Sequence, residues 1–358
     1  MTDNAEHVAD AYQSSVRRGE ELPVALIDRW LRQYVDNLTG LPTVSQFTGG
    51  ASNWTYELRY PERALILRRA PAGTKARGAH DMAREYRIQH AIRPVFPLVP
   101  EMIALSDDHK ILDSDFYVME KLQGLIPRKR MPPQVRLEPE QYRSLCHSLL
   151  DTLLALHGID YAAEGLDTLA TGAGYTERQI TGWTRRYRDA RTWNVPRARR
   201  VMNWLERHLP DSETLSLVHN DFRFDNIVLD RADPTKIVGV LDWEMATIGN
   251  PLMDLGNSLA YWVQSDDDRL RRATRRQPTH LPGMLTREQV IDYYRDHSPI
   301  DFDNFAFYEV YGLFRLAAIV QQIYYRFYHG QTDNPAFRHF WLLTGYLVWR
   351  CGRIIRNN

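Results

Sequence analysis

Leu217-Val-His-Asn-Asp-Phe-Arg-Phe-Asp-Asn-Ile-Val-Leu-Asp230 is the stretch on which the fold turns. It sets His219, Asp221 and Asn226 in the pattern H-x-D-x-x-x-x-N and runs straight into the apolar Ile227–Leu229. Sixteen residues after Asn226, a second apolar run, Ile237-Val-Gly-Val-Leu241, ends on Asp242, with Trp243 and Glu244 next. Two short apolar runs around a polar turn read as adjacent strands, which deliver Asn226 and Asp242 to one spot. An amide oxygen and a carboxylate are hard ligands suited to Mg2+, a cation that keeps waters and takes further ligands from phosphates. Asp221, on the loop ahead of the first strand, is then set to orient an acceptor hydroxyl and take its proton. That is the division of labour phosphoryl transfer requires. Each residue alone is an ordinary turn former; the spacing, the paired strands and the aspartate ending the second carry the reading together. His219, two residues before Asp221, reads as a loop-holding hydrogen-bonding group in preference to a metal ligand.

Outward from this segment the chain divides in character. Residues 23–38 pattern as an amphipathic helix, followed by strand-like Val44–Phe47, Asn53–Tyr60, Ala64–Arg68, Glu101–Ser106 and Asp115–Glu120. One helical pattern, about Gly78–Ile92, interrupts them. From about 137 helical periodicity dominates, over 137–157, 175–190, 196–208, 286–297, 304–330 and 335–355. Thr286-x-x-Gln289 gives one of these a capping-box start. The stretch 265–283 reads as a mobile loop, and no internal repeat is visible. The expected architecture is α+β: a small antiparallel β lobe with one key helix over residues 1–122, and a larger, mainly helical lobe over 123–358.

His219-Asn-Asp-Phe-Arg-Phe-Asp-Asn226 and Leu241-Asp-Trp-Glu244 resemble the two signature motifs of the aminoglycoside-phosphotransferase-like (choline kinase-type) small-molecule kinases. The resemblance implies a two-lobed protein-kinase-like fold, ATP and Mg2+ as cofactors, a catalytic Asp221, and metal ligands at Asn226 and Asp242. Asp254, in Asn250-Pro-Leu-Met-Asp-Leu-Gly256, resembles the family's second aspartate, which braces the catalytic loop. Arg68 stands where such a fold keeps a phosphate-gripping lysine, and Glu85 is the natural partner carboxylate. A guanidinium can grip phosphate in bidentate fashion. Arg69, one residue out of phase and so on the opposite face of the strand, is the competing assignment. Gln46-Phe-Thr-Gly-Gly-Ala-Ser-Asn53 lies between two strand patterns, and Gly49, Gly50, Ser52 and Asn53 are its candidate phosphate-loop residues. It is not a Walker A sequence. Phe116-Tyr-Val-Met-Glu-Lys-Leu-Gln-Gly124 resembles the hinge between lobes, where backbone groups from Glu120 to Leu122 would meet the adenine edge.

Composition supplies the exclusions. The chain has 358 residues, with 45 Lys+Arg balanced by 45 Asp+Glu. That balance argues against a general polyanion binder, so neither nucleic acid nor a membrane is expected as a partner. Five of the basic residues are lysines and forty are arginines. There is no apolar run of about 18 residues and no signal-peptide pattern. Cys146 and Cys351 cannot make a disulfide framework. A cytoplasmic protein with two inert thiols is the expectation.

Phe47-Thr-Gly-Gly-Ala-Ser-Asn53, Leu67-Arg-Arg-Ala-Pro-Ala-Gly73, Gly174-Tyr-Thr-Glu-Arg-Gln-Ile-Thr-Gly-Trp183 and Leu241-Asp-Trp-Glu-Met-Ala-Thr-Ile-Gly-Asn-Pro251 narrow the resemblance. They are similar to the kinase-like domain of acyl-CoA dehydrogenase family members 10 and 11, a branch associated with phosphorylating hydroxylated acyl-CoA. Charge bears on the acceptor separately. Tyr175 to Arg207 holds nine arginines and three acids, the reverse of what a polycationic aminoglycoside would want. The expected partner is a small anionic or neutral molecule with a hydroxyl group, with Arg178 and Trp183 as acceptor-side candidates. A non-catalytic nucleotide-binding protein and an aminoglycoside kinase remain the alternatives.

Overall fold

The computed structural model describes residues 13–47, 53–71, 81–170, 172–300, 302 and 304–358, so Gly49, Gly50 and Ser52 lie outside the described residues. The first elements are β1 (Gln13–Ser14), α1 (Val24–Leu31), β2 (Thr43–Phe47), β3 (Trp54–Arg59), β4 (Ala64–Arg69) and α2 (Met82–Ile92). Then come β5 (Met102–Ser106), β6 (Phe116–Glu120), α3 (Pro139–His157), α4 (Tyr175–Asp189), α5 (Arg199–Arg207) and β7 (Ser216–Val218). The chain continues through β8 (Ile227–Leu229), β9 (Ile237–Val240), β10 (Thr247–Gly249), α6 (Pro251–Ala260) and α7 (Arg269–Ala273). It ends in α8 (Arg287–His297), α9 (Ala306–Tyr328) and α10 (Phe340–Asn357). No described helix is long and apolar enough to cross a membrane.

These elements fall into two compact units. One holds the described part of Met1–Leu125 together with Ile227–Glu244, a segment the sequence reading grouped with the helical lobe; the other holds Ile126–Asn226 and Met245–Asn358. In the first, six antiparallel strands lie in the order β1-β2-β3-β4-β6-β5. β4 is buried over nearly its whole length because both faces are covered. Leu65 and Leu67 join Trp30, Tyr56, Leu58 and Phe116 in one core. Ile66 turns the other way, into a cluster with Met82, Met102, Tyr117 and Met119 beneath α2. Strand alternation therefore commits Arg68 to the α2 face and Arg69 to the opposite one. Asp81 caps α2 by accepting from the Arg84 N–H at 2.8 Å. The spacing of Met82, Glu85 and Ile88 lays all three on its buried side. The β8–β9 hairpin completes this unit: Ile227 pairs with Val240, and Val240 N–H donates to Leu98 O at 2.7 Å.

In the second unit β7 and β10 pair, and α6 and α9 form the helical centre. Every residue of α6 is buried. Its contact with α9 is backbone on backbone: a Cβ added to Gly312 would sit 2.0 Å from Gly256 O. Both cysteines are buried, and burial pushes the Cys146 thiol up to about 12 and raises Cys351 as well.

Three readings need correction. The helix expected over 23–38 stops at Leu31: the backbone then tightens to i−3 bonds, Gln33 N–H to Trp30 O at 3.1 Å and Tyr34 N–H to Leu31 O at 2.9 Å, and reverses through a left-handed Asn37. The stretch 265–283 contains the short α7, whose start Asp268 caps by accepting from Leu270 and Arg271 N–H at 3.0 Å each. α6 was passed over although it carries a start signal: Asn250 accepts from Leu252 N–H at 2.9 Å, and Pro251 fills the first position.

Candidate active site

In the helical unit the site is organised by a buried carboxylate. α6 places Asp254, fully buried, in its first turn. There Oδ2 accepts from His219 N–H at 2.7 Å and His157 Nε2 at 3.2 Å, and Oδ1 accepts from Asn220 N–H at 2.8 Å. Burial alone would raise this carboxyl. The hydrogen bond and charge of His157, then of His219, outweigh it and hold Asp254 below its ordinary value. Between the two braced N–H groups the backbone turns through a left-handed Asn220, φ +64°, a conformation asparagine tolerates better than most residues. Asn220 is itself fixed by Arg315, whose Nη2 donates to its carbonyl at 3.0 Å, and by Asn257 donating to its Oδ1 at 3.2 Å.

The turn delivers Asp221. Its N–H donates to His219 Nδ1 at 3.2 Å, so His219 holds the loop. Arg223 Nη2, at 3.0 Å, and Asn226 Nδ2, at 3.1 Å, both fall on Asp221 Oδ2. Oδ1 has no protein donor among the described residues, on a side chain 21% exposed. Asn226 Nδ2 also donates to Asp221 O at 2.9 Å, which commits the amide nitrogen and leaves the amide oxygen as the atom that could ligate. Arg223 is pinned by Asp225 at 3.4 Å and lies 4.4 Å from the Tyr261 ring centroid. Burial pulls the guanidinium down, but Asp221 and Asp225 more than offset it, so Arg223 stays charged.

In the sheet unit the organising group is Arg68. Nη1 meets Glu85 Oε1 at 3.1 Å and Nη2 meets Asp242 Oδ1 at 3.0 Å. Burial works against this charge, and Glu85, Tyr117 and Asp242 together hold Arg68 well above its ordinary value. Burial pushes the Glu85 carboxyl up while Arg68 pulls it back. Arg69 faces away and pairs with Asp113, 5.1 Å from the Trp54 centroid. Asp242 is left-handed, φ +68°, an uncommon state for a residue other than glycine and one that clusters at functional sites. Trp243 clamps the turn, buried with Nε1 donating to Val240 O at 2.9 Å. Asn53 Nδ2 donates to Glu244 Oε2 at 3.1 Å, which ties the end of the glycine-bearing segment to the Asp-Trp-Glu turn. At the hinge segment Glu120 N–H is spent on Glu101 O at 2.8 Å. An adenine edge there would have to use other backbone groups, such as those of Leu122.

On the acceptor side, Arg178 is exposed and donates to Gly172 O at 3.1 Å. Trp183 is buried, its ring centroid 4.5 Å from the Arg186 guanidinium and 5.2 Å from that of Arg315. The sequence reading missed His157 and Arg223. No spacing rule links His157 to Asp254, 97 residues away. Arg223 lies inside the motif itself, two residues from Asp221, and was legible there.

Comparison with known proteins shows the family. The profile of the phosphotransferase enzyme family (APH) matches residues 43–288. The chain is 34% identical over 332 residues to acyl-CoA dehydrogenase family member 10 of Mus musculus, covering 92% of this chain and 31% of that protein. To family member 11 of Rattus norvegicus it is 35% identical over 296 residues, covering 82% and 37%. The chain thus spans about a third of the length of these relatives. A Ralstonia eutropha JMP134 structure, provisionally assigned as an aminoglycoside phosphotransferase, superimposes with a TM-score of 0.80 at 26% identity, covering 94% of this chain and 99% of that one. With a kinase-like α+β fold, the Asp221 loop and a matched profile over most of its length, the chain belongs to the APH phosphotransferase enzyme family.

Proposed function

We propose that this protein is an ATP- and Mg2+-dependent kinase that transfers a phosphoryl group to a hydroxyl of a small molecule. The observation that carries the reading is the asymmetry of Asp221: both protein donors sit on Oδ2, and Oδ1 is left for an acceptor hydroxyl. A carboxylate so held can align the hydroxyl and receive its proton as the bond to phosphorus forms. The Asn226 amide oxygen and the Asp242 carboxylate are each hard donors of the kind a magnesium ion takes, and the family resemblance assigns them as the residues that would hold it. Such an ion, when bound, offsets charge on the phosphates. Arg68, kept cationic by Glu85, is the phosphate-side cation.

For the acceptor we favour a hydroxylated acyl-CoA or a similar anionic or neutral metabolite. The support is the similarity to acyl-CoA dehydrogenase family members 10 and 11 and the excess of arginine over acid between Tyr175 and Arg207. One observation favours a non-catalytic nucleotide-binding protein instead: an arginine stands at position 68 and engages Asp242 directly. Both readings meet one experiment. Purified wild type and Asp221→Asn are incubated with ATP, Mg2+ and a panel of hydroxylated acyl-CoA esters, sugars and aminoglycosides, and phosphorylated acceptor is measured. Transfer by wild type that Asp221→Asn loses supports the kinase. Equal transfer by both proteins sinks the mechanism, and nucleotide binding with no transfer to any acceptor favours the alternative.

A further inference from the structure

Of the nine tryptophans only Trp193 and Trp349 are exposed, at 79% and 49%, and both belong to one part of the helical unit. The loop after α4 is fixed in place, with Tyr187 Oη donating to Pro196 O at 2.8 Å and Asn194 Nδ2 donating to Tyr324 Oη at 3.0 Å. Pro196 lies against Gly345 of α10: a Cβ there would be 3.9 Å from its ring. Leu342, 48% exposed, is three residues before Gly345, and Trp349 is four after it. Helical spacing therefore puts all three on one stripe, with Pro196 at its middle and Trp193 three residues along the loop. Cations rim this apolar strip. Arg353 continues it one turn on, 5.2 Å from the Trp349 centroid, and exposed Arg197 follows Pro196. α10 has no acid and three arginines, of which Arg350 is paired with Asp267, and residues 191–207 have five arginines and one acid. Among the described residues neither Arg197 nor Arg353 has an ion-pair partner.

We propose that this face docks on an anionic lipid surface. Tryptophan rings settle at the boundary of headgroups and acyl chains, and rim arginines meet acidic headgroups while their stems cover apolar surface. The charge selects this occupant over a second copy of the chain: a two-fold contact would set arginine against arginine. The apolar centre distinguishes it from a nucleic-acid surface, which would want cations along its whole length. The expectation of no membrane partner came from net charge and from the lack of a spanning segment. Neither registers a patch assembled from residues 193–197 and 342–353.

The test is flotation of the full chain with vesicles of phosphatidylcholine alone and of phosphatidylcholine mixed with phosphatidylglycerol. We expect it to float only with the mixed vesicles, to be released by salt, and to shift its tryptophan emission to the blue. Arg197→Gln with Arg353→Gln should lower partitioning roughly 30-fold, about fivefold per arginine, and Trp193→Ser should reduce the emission shift, Trp349 supplying the remainder. These side chains are exposed, so an unchanged thermal midpoint certifies the fold. The proposal fails if neither vesicle captures the wild type, or if the substituted proteins float as well as it does. It fails also if duplex DNA binds as tightly at the same salt, or if sedimentation shows a dimer that Trp193→Ser disperses.

Discussion

Arg223 places one guanidinium nitrogen 3.0 Å from Asp221 Oδ2, the oxygen that Asn226 also holds, and not on Oδ1. The side chain is fixed from two further directions, by Asp225 and the Tyr261 ring. Arg223 is therefore a positioning residue for the carboxylate.

Arg223→Gln should lower kcat for phosphoryl transfer by roughly 10- to 100-fold, the range expected for one charge-assisted hydrogen bond, with a smaller effect on KM for ATP. Arg223→Lys keeps the charge and loses the fork, so it should recover part of the loss. Steady-state kinetics on the acceptor found in the screen decide this. A Gln variant with unchanged kcat, or a Lys variant no better than Gln, removes Arg223 from that role.

Arg68 and Glu85 invite a different measurement, because the pair lies under α2 with Glu85 only 2% exposed. Removing one partner strands the other. Arg68→Met alone is expected to cost about 3–5 kcal/mol of unfolding free energy, and the double variant Arg68→Met with Glu85→Met distinctly less. Urea denaturation of the four proteins closes the cycle. If the double variant loses as much as the two single variants summed, the pair is not coupled as the 3.1 Å contact implies.

How far the sequence reached follows from which interactions are local. The period-two pattern of Ala64–Arg69 was enough to say that Arg68 and Arg69 face opposite ways, but not which one meets Glu85. The structure resolves that through Ile66, whose packing with Met82 identifies the α2 face. The Asp221 loop was legible because His219, Asp221 and Asn226 lie within eight residues. Its bracing was legible only in part. Asp254 was visible as a motif, while His157, the other group on its Oδ2, comes from α3 and leaves no periodic trace. α6 was overlooked because a helix buried all round has no polar face to set its period. The patch at Trp193 and Trp349 was out of reach for a related reason: it is created by a tertiary contact between Pro196 and Gly345.

Acid stability is linked to a carboxylate remote from Asp221. Asp267 is 6% exposed and is gripped by Arg287 at 2.7 Å and Arg350 at 3.3 Å. Burial would raise its carboxyl, but the Arg287 hydrogen bond and charge more than offset that and bring it down to about 2. An unfolded aspartate titrates near 3.9. The folded value is the lower one, so the stabilisation is full above about pH 4 and disappears as pH falls through about 2. That difference corresponds to about 2.6 kcal/mol at most, less what solvent screening removes. Asp267→Asn should therefore lower the urea midpoint at pH 7 and flatten its decline between about pH 4 and 2 relative to wild type. The same variant should leave the decline above about pH 5 unaltered. Parallel acid limbs for the two proteins would show that Asp267 does not carry this charge-linked stability.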